Sequence, residues 1–371
     1  MAIAVDISPE ITKAKETKVS VIDCDIHHYD AYGNAPVERG VYPYLSKRWQ
    51  RHHDMIGGKG RSAGSYPRGQ VNAARVDSWP PSGRPPGSDL EFMQMQLLDE
   101  FDMDYGILNP IAGGGVHLNL DYSAALATAI NDWQIAEWLE PEPRLKASID
   151  VPYEDGPLAA AEIRRVGGHD GFVQVMLLAR TGEPLGRRKY WPIYEAAVEM
   201  DLPIGIHFGG IGGGPITGAG WPSYYIEDHG GMPQAFQAQI ISLVCEGIFE
   251  RFPTLRVAII EGGFAWLPSL AWRLDQSWRR LKEEVPHLKR APSEYIADHF
   301  WLTTQPVEEP RQPKHFKQLL DQMNGSERLM FATDYPHWDF DSPVRTLPAN
   351  LPLEVRQNIM AENARAFYSL E

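Results

Sequence analysis

Residues 21–29, Val-Ile-Asp-Cys-Asp-Ile-His-His-Tyr, end a short apolar run with two carboxylates and two imidazoles. The run is too short and too β-branched for a helix and predicts a strand. Side chains alternate along a strand, so Asp25 and His27 point one way and Cys24, Ile26 and His28 the other. A carboxylate and an imidazole on one face form two ligands for a divalent cation, the oxygen favouring iron or manganese and the nitrogen also accepting zinc. Three more such residues close apolar segments elsewhere: His207 in LPIGIHFG, Glu261 in RVAIIEGG and Asp334 in RLMFATDYPHWD. A carboxylate that leaves water must find a cation. The nearest basic candidate is Arg180, one charge against those of Asp25, Glu261 and Asp334, so the set reads as a metal centre rather than an ion-pair network.

These residues need a scaffold that brings distant strand ends together. Apolar strand patterns recur at 103–110, 146–152, 171–177, 202–209, 256–263, 299–306 and 328–334. Helical patterns alternate with them at 122–138, 157–166, 189–199, 232–249, 266–284, 315–323 and 353–368. Ser88 or Asp89 caps one more, carrying Leu90, Met93, Leu97, Leu98 and Phe101 on a face. Eight β/α units predict a single-domain (β/α)8 TIM barrel over 1–371, whose active site lies at the C-terminal strand ends. A doubly wound open sheet fits less well, because no GxGxxG follows the first strand and GGIGGGP does not open a helix at once. Residues 1–17 form a polar arm. The stretch 30–87, rich in Gly, Pro, Arg and Ser, predicts a mostly irregular insertion after strand 1 that serves as a lid or an oligomer contact.

The chain has 371 residues, a net charge of −14 and a hydrophobic content of 43%. That acidity argues against nucleic-acid partners, which require neutralisation of phosphates. The two cysteines, Cys24 and Cys245, form no metal-binding or disulfide pattern. No apolar stretch is long enough to span a membrane and the N-terminus carries no secretory h-region, so a cytoplasmic enzyme is expected.

The segments VIDCDIHH, PIGIHFGG, RVAIIEGGFAWLPSLAWRLD and FATDYPHWDFDSP resemble the amidohydrolase-related branch of the metal-dependent amidohydrolase superfamily, which includes decarboxylases. The resemblance implies metal ligation by Asp25, His27, His207 and Asp334, and a proton-transfer role for Asp334. Two positions depart from it: Asp25 stands where a His or Glu is usual, and Glu261 where a His is usual. The fourth strand, GFVQVML, has no lysine to carbamylate.

Counting Asp25, Glu261 and Asp334 as ionised, one divalent cation leaves the site at −1 and two bring it to +1. The expectation is therefore two ions rather than one, iron or manganese before zinc, with His337 as the best further ligand and His229 and His28 behind it. His28 reads better as a core histidine. The chemistry expected first is hydrolysis, with activated water attacking a carbonyl, Asp334 shuttling the proton and His207 stabilising the oxyanion. Non-oxidative decarboxylation, dioxygen activation, or a metal-holding subunit paired with a catalytic paralogue are the alternatives. Trp79, Tyr66, Trp191, Trp266 and Trp338 could line a pocket for a small-molecule substrate, and Arg180, Arg187 and Arg188 could hold its carboxylate. A homo-oligomer or a hetero-oligomer is expected.

Overall fold

The computed structural model describes residues 19–29, 40–56, 73–111, 113–210, 212, 214–215 and 217–371. Eight parallel strands follow one another around a single sheet in sequence order: β1 (Ile22–Ile26), β2 (Tyr105–Leu108), β3 (Leu145–Ile149), β4 (Phe172–Arg180), β5 (Ile204–Gly210), β6 (Val257–Ile260), β7 (Phe300–Thr303) and β8 (Leu329–Met330). The ring closes between the last strand and the first. Cys24 N donates to Phe331 O at 2.9 Å, Asp334 N to Asp25 O at 3.0 Å and His27 N to Tyr335 O at 2.7 Å. This is the expected (β/α)8 barrel.

Helices fall where the 3.6-residue periodicity places them, and their starts follow from local chemistry. Asp89, Asn119 and Asp155 each accept a hydrogen bond from the backbone three residues on, capping helices at Leu90, Leu120 and Gly156. The expected helix 232–249 is two, Pro233–Cys245 and Ile248–Arg251, because Gly247 lies in the left-handed region between them. A helix at Pro292–His299 was not anticipated. Neither was one at Lys47–Ile56 inside the insertion, where a segment with two histidines and three basic residues carries little apolar periodicity.

The polar arm 1–17 and parts of the insertion, Tyr66 included, lie outside the described residues. The returning end of the insertion packs at the barrel mouth. Arg75 N donates to Pro336 O at 2.9 Å and Trp338 N to Ala73 O at 2.8 Å. Gly87 closes it against β1 with φ +75°, and a Cβ there would lie 2.8 Å from His27 O. Only glycine fits that turn.

Two apolar layers hold the barrel. The larger lies between the sheet and the helices. The smaller gathers Ile22, Ile107, Ala258, Ile260 and Met330 from strands around the barrel, with Phe367 and Tyr368 of the C-terminal helix packed against them. Truncating Phe367 to alanine opens a cavity in that layer and is expected to cost about 3–5 kcal/mol, readable by urea unfolding.

Asp150, just past β3, is a second stability lever. Burial lifts its carboxyl to about 7, against the hydrogen bond it accepts from Gly114 N. Because the folded value lies above the unfolded one, the fold favours the protonated acid; that contribution is lost as pH rises from about 4 to about 7. The Asp150→Asn protein is expected to lose less thermal stability than the parent across that window.

Candidate metal centre

The strand ends bring Asp25, His27, His207 and Glu261 together, with ligand-capable atoms all within 4.8 Å of one another; Asp334 and His337 join through His27. The route differs in detail from a simple strand alternation. The pairing of β1 with β2 shifts register between Asp23 and Ile26, and Cys24 sits in the inner layer while Ile26 packs in the outer one. The expectation that Cys24 and Ile26 share a face is therefore corrected. His207 is in register with Ile260, which sets Glu261 one step beyond it. Strand β8 stops at Met330, four residues short of Asp334. Asp334 and Glu261 both adopt left-handed backbone, with φ of 61° and 56°, a conformation costing roughly 1–2 kcal/mol for a non-glycine residue. Each carboxylate is turned off its strand toward the centre of the mouth.

The imidazoles are pre-set for ligation. His27 Nδ1 lies 3.0 Å from Asn109 O, and His207 Nδ1 lies 2.7 Å from Phe208 O. A carbonyl only accepts, so both Nδ1 atoms carry a proton and both Nε2 atoms face the mouth, as lone pairs whenever the rings are neutral. His27 Nε2 sits 2.9 Å from Asp334 Oδ1 and 3.3 Å from Asp25 Oδ1, and His207 Nε2 sits 3.2 Å from Asp25 Oδ2 and 3.4 Å from Glu261 Oε2. Although fully buried, His27 Nε2 has no hydrogen-bond partner of proper geometry among the described residues. An unpaired buried nitrogen ringed by carboxylate oxygens is the arrangement of donors that converge on a cation. The residues present therefore fit a divalent metal.

Electrostatics point the same way. Burial pushes the His27 imidazole down, but the charges of Asp25 and Asp334 outweigh it and bring it up to about 9. Burial, then the charges of Asp334, Asp339 and Asp25, drive Glu261 well above the usual carboxylate range. Asp334 moves oppositely: burial would raise it, yet the charges of His337 and His27 and the hydrogen bonds they make hold it well below the ordinary value. In the metal-free protein the mouth is thus short of positive charge and borrows it from histidine.

His337 is placed differently from the other expected ligands. Its Nδ1 lies 2.6 Å from Asp334 Oδ1 and its Nε2 lies 2.7 Å from the Tyr29 hydroxyl, so both nitrogens are engaged and it orients Asp334. His28 is buried and stacked on Trp133 with ring centroids 5.0 Å apart, and burial takes its pKa down to about 3. It is the core histidine that the sequence reading preferred. His229 reaches the mouth beside Asp339, its Nε2 3.0 Å from Asp339 Oδ2. The arginines do not converge on the centre. Arg180 is ion-paired with Asp228 and stacks over Phe208, Arg187 pairs with Glu246 at 3.3 Å, and Arg188 lies over Trp191.

Five functional neighbours escaped the sequence reading: Asn109, Gln174, Gln305, Tyr29 and Asp339. Asn109, just past β2, donates to Asp25 Oδ1 at 2.8 Å while its own Oδ1 accepts from Ser148 Oγ at 2.6 Å and Gln174 Nε2 at 3.2 Å. Gln174 lies near the start of β4. Gln305 donates to Asp334 Oδ2 at 3.2 Å and to Asp339 Oδ2 at 3.0 Å. Tyr29 and Asp339 complete the group. Gln174 apart, only their positions just after strand ends could have flagged them.

Comparison with known proteins narrows the chemistry. A gamma-resorcylate decarboxylase of Polaromonas sp. is 26% identical over 276 residues, covering 68% of this chain and 79% of that protein. The crystal structure of a dihydroxybenzoic acid decarboxylase from Polaromonas sp., with bound manganese and the inhibitor 2-nitroresorcinol, superposes with a TM-score of 0.65 at 20% identity, covering 95% of this chain and 97% of that one. A 5-carboxyvanillate decarboxylase from Novosphingobium aromaticivorans, complexed with manganese and 4-hydroxy-3-methoxy-5-nitrobenzoic acid, gives 0.69 at 21% identity over 96% of this chain and 97% of that one. These relatives are carbon–carbon lyases. Their decarboxylase activities overturn the expectation of a hydrolase in favour of the alternative of non-oxidative decarboxylation. Among the described residues no helix is long and apolar enough to cross a membrane. The family model described as Amidohydrolase matches residues 22–370, nearly the whole chain, and the protein is therefore a member of the amidohydrolase family.

Proposed function

We propose that this protein is a metal-dependent, non-oxidative decarboxylase of a small hydroxylated aromatic acid. The observation that carries the reading is the buried group Asp25, His27, His207 and Glu261, joined through His27 to Asp334, with His27 Nε2 lacking a hydrogen-bond partner among the described residues. The two manganese-bound structural neighbours, whose names state decarboxylation of phenolic acids, support the same reading. The oxygen-rich donor set favours manganese or iron over zinc. A divalent cation held by these residues would supply positive charge to the substrate's carboxylate and the oxygen beside it.

The chain's own residues then do the positioning and the proton work. Asn109 and the Phe208 carbonyl lock the two imidazoles and Asp25 in place. As the bond from ring carbon to carboxylate breaks, carbon dioxide leaves as a neutral molecule and the electron pair stays on the ring. The proton that replaces it travels from His337 Nδ1 to Asp334 Oδ1, 2.6 Å away, and on to carbon. Asp334, poor as a base, is for the same reason a strong acid once protonated. The Tyr29 hydroxyl at His337 Nε2 completes the relay.

The test is direct. The protein loaded with Mn2+ is incubated with dihydroxybenzoates and hydroxy-methoxy-carboxybenzoates, and with a parallel panel of amides and esters, while phenol formation and carbon dioxide release are followed. One equivalent of carbon dioxide per phenol is the expected result. Turnover confined to the amide and ester panel, with no carbon dioxide, would sink the proposal. In the His337→Ala protein saturated with Mn2+ kcat is expected to fall by about 10²–10⁴-fold, the range of general acid catalysis.

A further inference from the structure

The structure assigns a second divalent-cation site to His229, Glu261 and Asp339, on the solvent side of the first, an inference that rests on the first centre being a metal site. The three residues arrive from separate segments: His229 from the helix Tyr225–Gly231 after β5, Glu261 from the end of β6 and Asp339 from the loop after β8. Their ligand-capable atoms all lie within 4.8 Å of one another. Together with the inner residues they make an unbroken circuit. It runs from His27 to Asp334 at 2.9 Å, through Gln305 at 3.2 and 3.0 Å to Asp339, on at 3.0 Å to His229, and by way of Glu261 to His207 at 3.4 Å.

Glu261 belongs to both groups, and its carboxylate stands between the inner residues and the pair His229 and Asp339. It is 5% exposed. Among the described residues no hydrogen bond reaches its carboxylate, and its ion-pair contact is with His207 Nε2, a lone pair the inner cation claims. Gln305 is neutral: it spaces Asp334 from Asp339 and compensates neither. Arg180, the nearest permanent cation, is already paired with Asp228.

The charge count closes only with two ions. Acting as ligands, Asp25, Glu261, Asp334 and Asp339 would be ionised and carry four negative charges, and imidazoles that act as ligands are neutral. One divalent cation leaves −2 at a largely buried mouth, and a second brings it to zero. The three carboxylates visible in the sequence left two ions at +1; Asp339, which folding brings in, removes that excess. A buried uncompensated charge is strongly disfavoured. Two carboxylates and one imidazole suit Mn2+ or Fe2+. Because the His229 and Asp339 side chains are 18% and 13% exposed while Asp25, His27, His207 and Asp334 are wholly buried, the outer ion binds more weakly and exchanges faster.

The experiment uses the full-length protein stripped of metal and Mn2+ alone as the probe. Calorimetric titration and elemental analysis after gel filtration are expected to show two equivalents of unequal affinity. In His229→Ala and in Asp339→Asn the tight equivalent persists and the second weakens by about a hundredfold or more. Electron paramagnetic resonance is expected to show a spin-coupled pair in the doubly loaded protein and an isolated six-line Mn2+ signal in either variant. A single equivalent in the parent protein, or a second equivalent unchanged in both variants, overturns the inference. Two equivalents without decarboxylation would defeat the proposed function alone, whereas decarboxylation with one equivalent would defeat this site alone.

Discussion

Replacing His207 with alanine is expected to abolish tight metal binding and to lower kcat/KM for decarboxylation by at least about 10³-fold, equivalent to roughly 4 kcal/mol of transition-state stabilisation. The size of the effect follows from what His207 does in the structure. It is fully buried, its Nδ1 proton is committed to Phe208 O, and its Nε2 is the bridge between Asp25 Oδ2 and Glu261 Oε2. Truncation removes the one neutral donor between two carboxylates and leaves them facing each other. Elemental analysis of the purified variant beside the parent checks the first half of the expectation and phenol formation the second. Retention of a full equivalent of tightly bound metal in His207→Ala would remove His207 from the ligand set. Asp25→Asn is the companion variant, since it keeps the shape of the side chain while cancelling its charge.

Asn109→Ala is expected to weaken metal binding by about 10–100-fold, although Asn109 touches no metal in the proposed arrangement. Its Nδ2 fixes Asp25 Oδ1, its carbonyl fixes the His27 tautomer, and its Oδ1 anchors Ser148 and Gln174, which in turn links to the Tyr368 hydroxyl at 3.3 Å. The backbone carbonyl survives substitution, so the His27 tautomer persists and the loss falls on Asp25. Asn109→Asp separates positioning from mere packing. It keeps an acceptor for Ser148 and Gln174 but sets a carboxylate against Asp25 Oδ1, and should bind metal more weakly than the alanine variant. Equal metal affinity in parent, Asn109→Ala and Asn109→Asp would show that Asp25 needs no support.

The candidate ligands were legible because they follow short apolar segments: Asp25 and His27 flank the last residue of β1, His207 follows the apolar half of β5, and Glu261 stands one residue past β6. Asp334 was found by the same rule, although its strand stops four residues earlier and backbone bonds from Asp334 N to Asp25 O and from His27 N to Tyr335 O carry the chain on to the mouth. His337 was visible as a candidate, but its engagement on both sides was not, because Tyr29 lies 308 residues away in sequence. Hydrolysis was expected from the ligand pattern, which serves several reactions equally. A carboxylate's proton affinity depends on neighbours that spacing does not reveal.

By itself, the sequence determined the barrel and the convergence of acidic and imidazole groups at its mouth. Strand and helix periodicity and the rule that barrel sites sit at C-terminal strand ends are local or topological properties. Only the tertiary structure decided which polar groups satisfy one another: Asn109 under Asp25, His337 against Asp334, and Asp339 with His229 beside Glu261. Hydrogen bonds and charges act over a few ångströms, and residues brought that close by a closed barrel are separated by up to hundreds of positions along the chain.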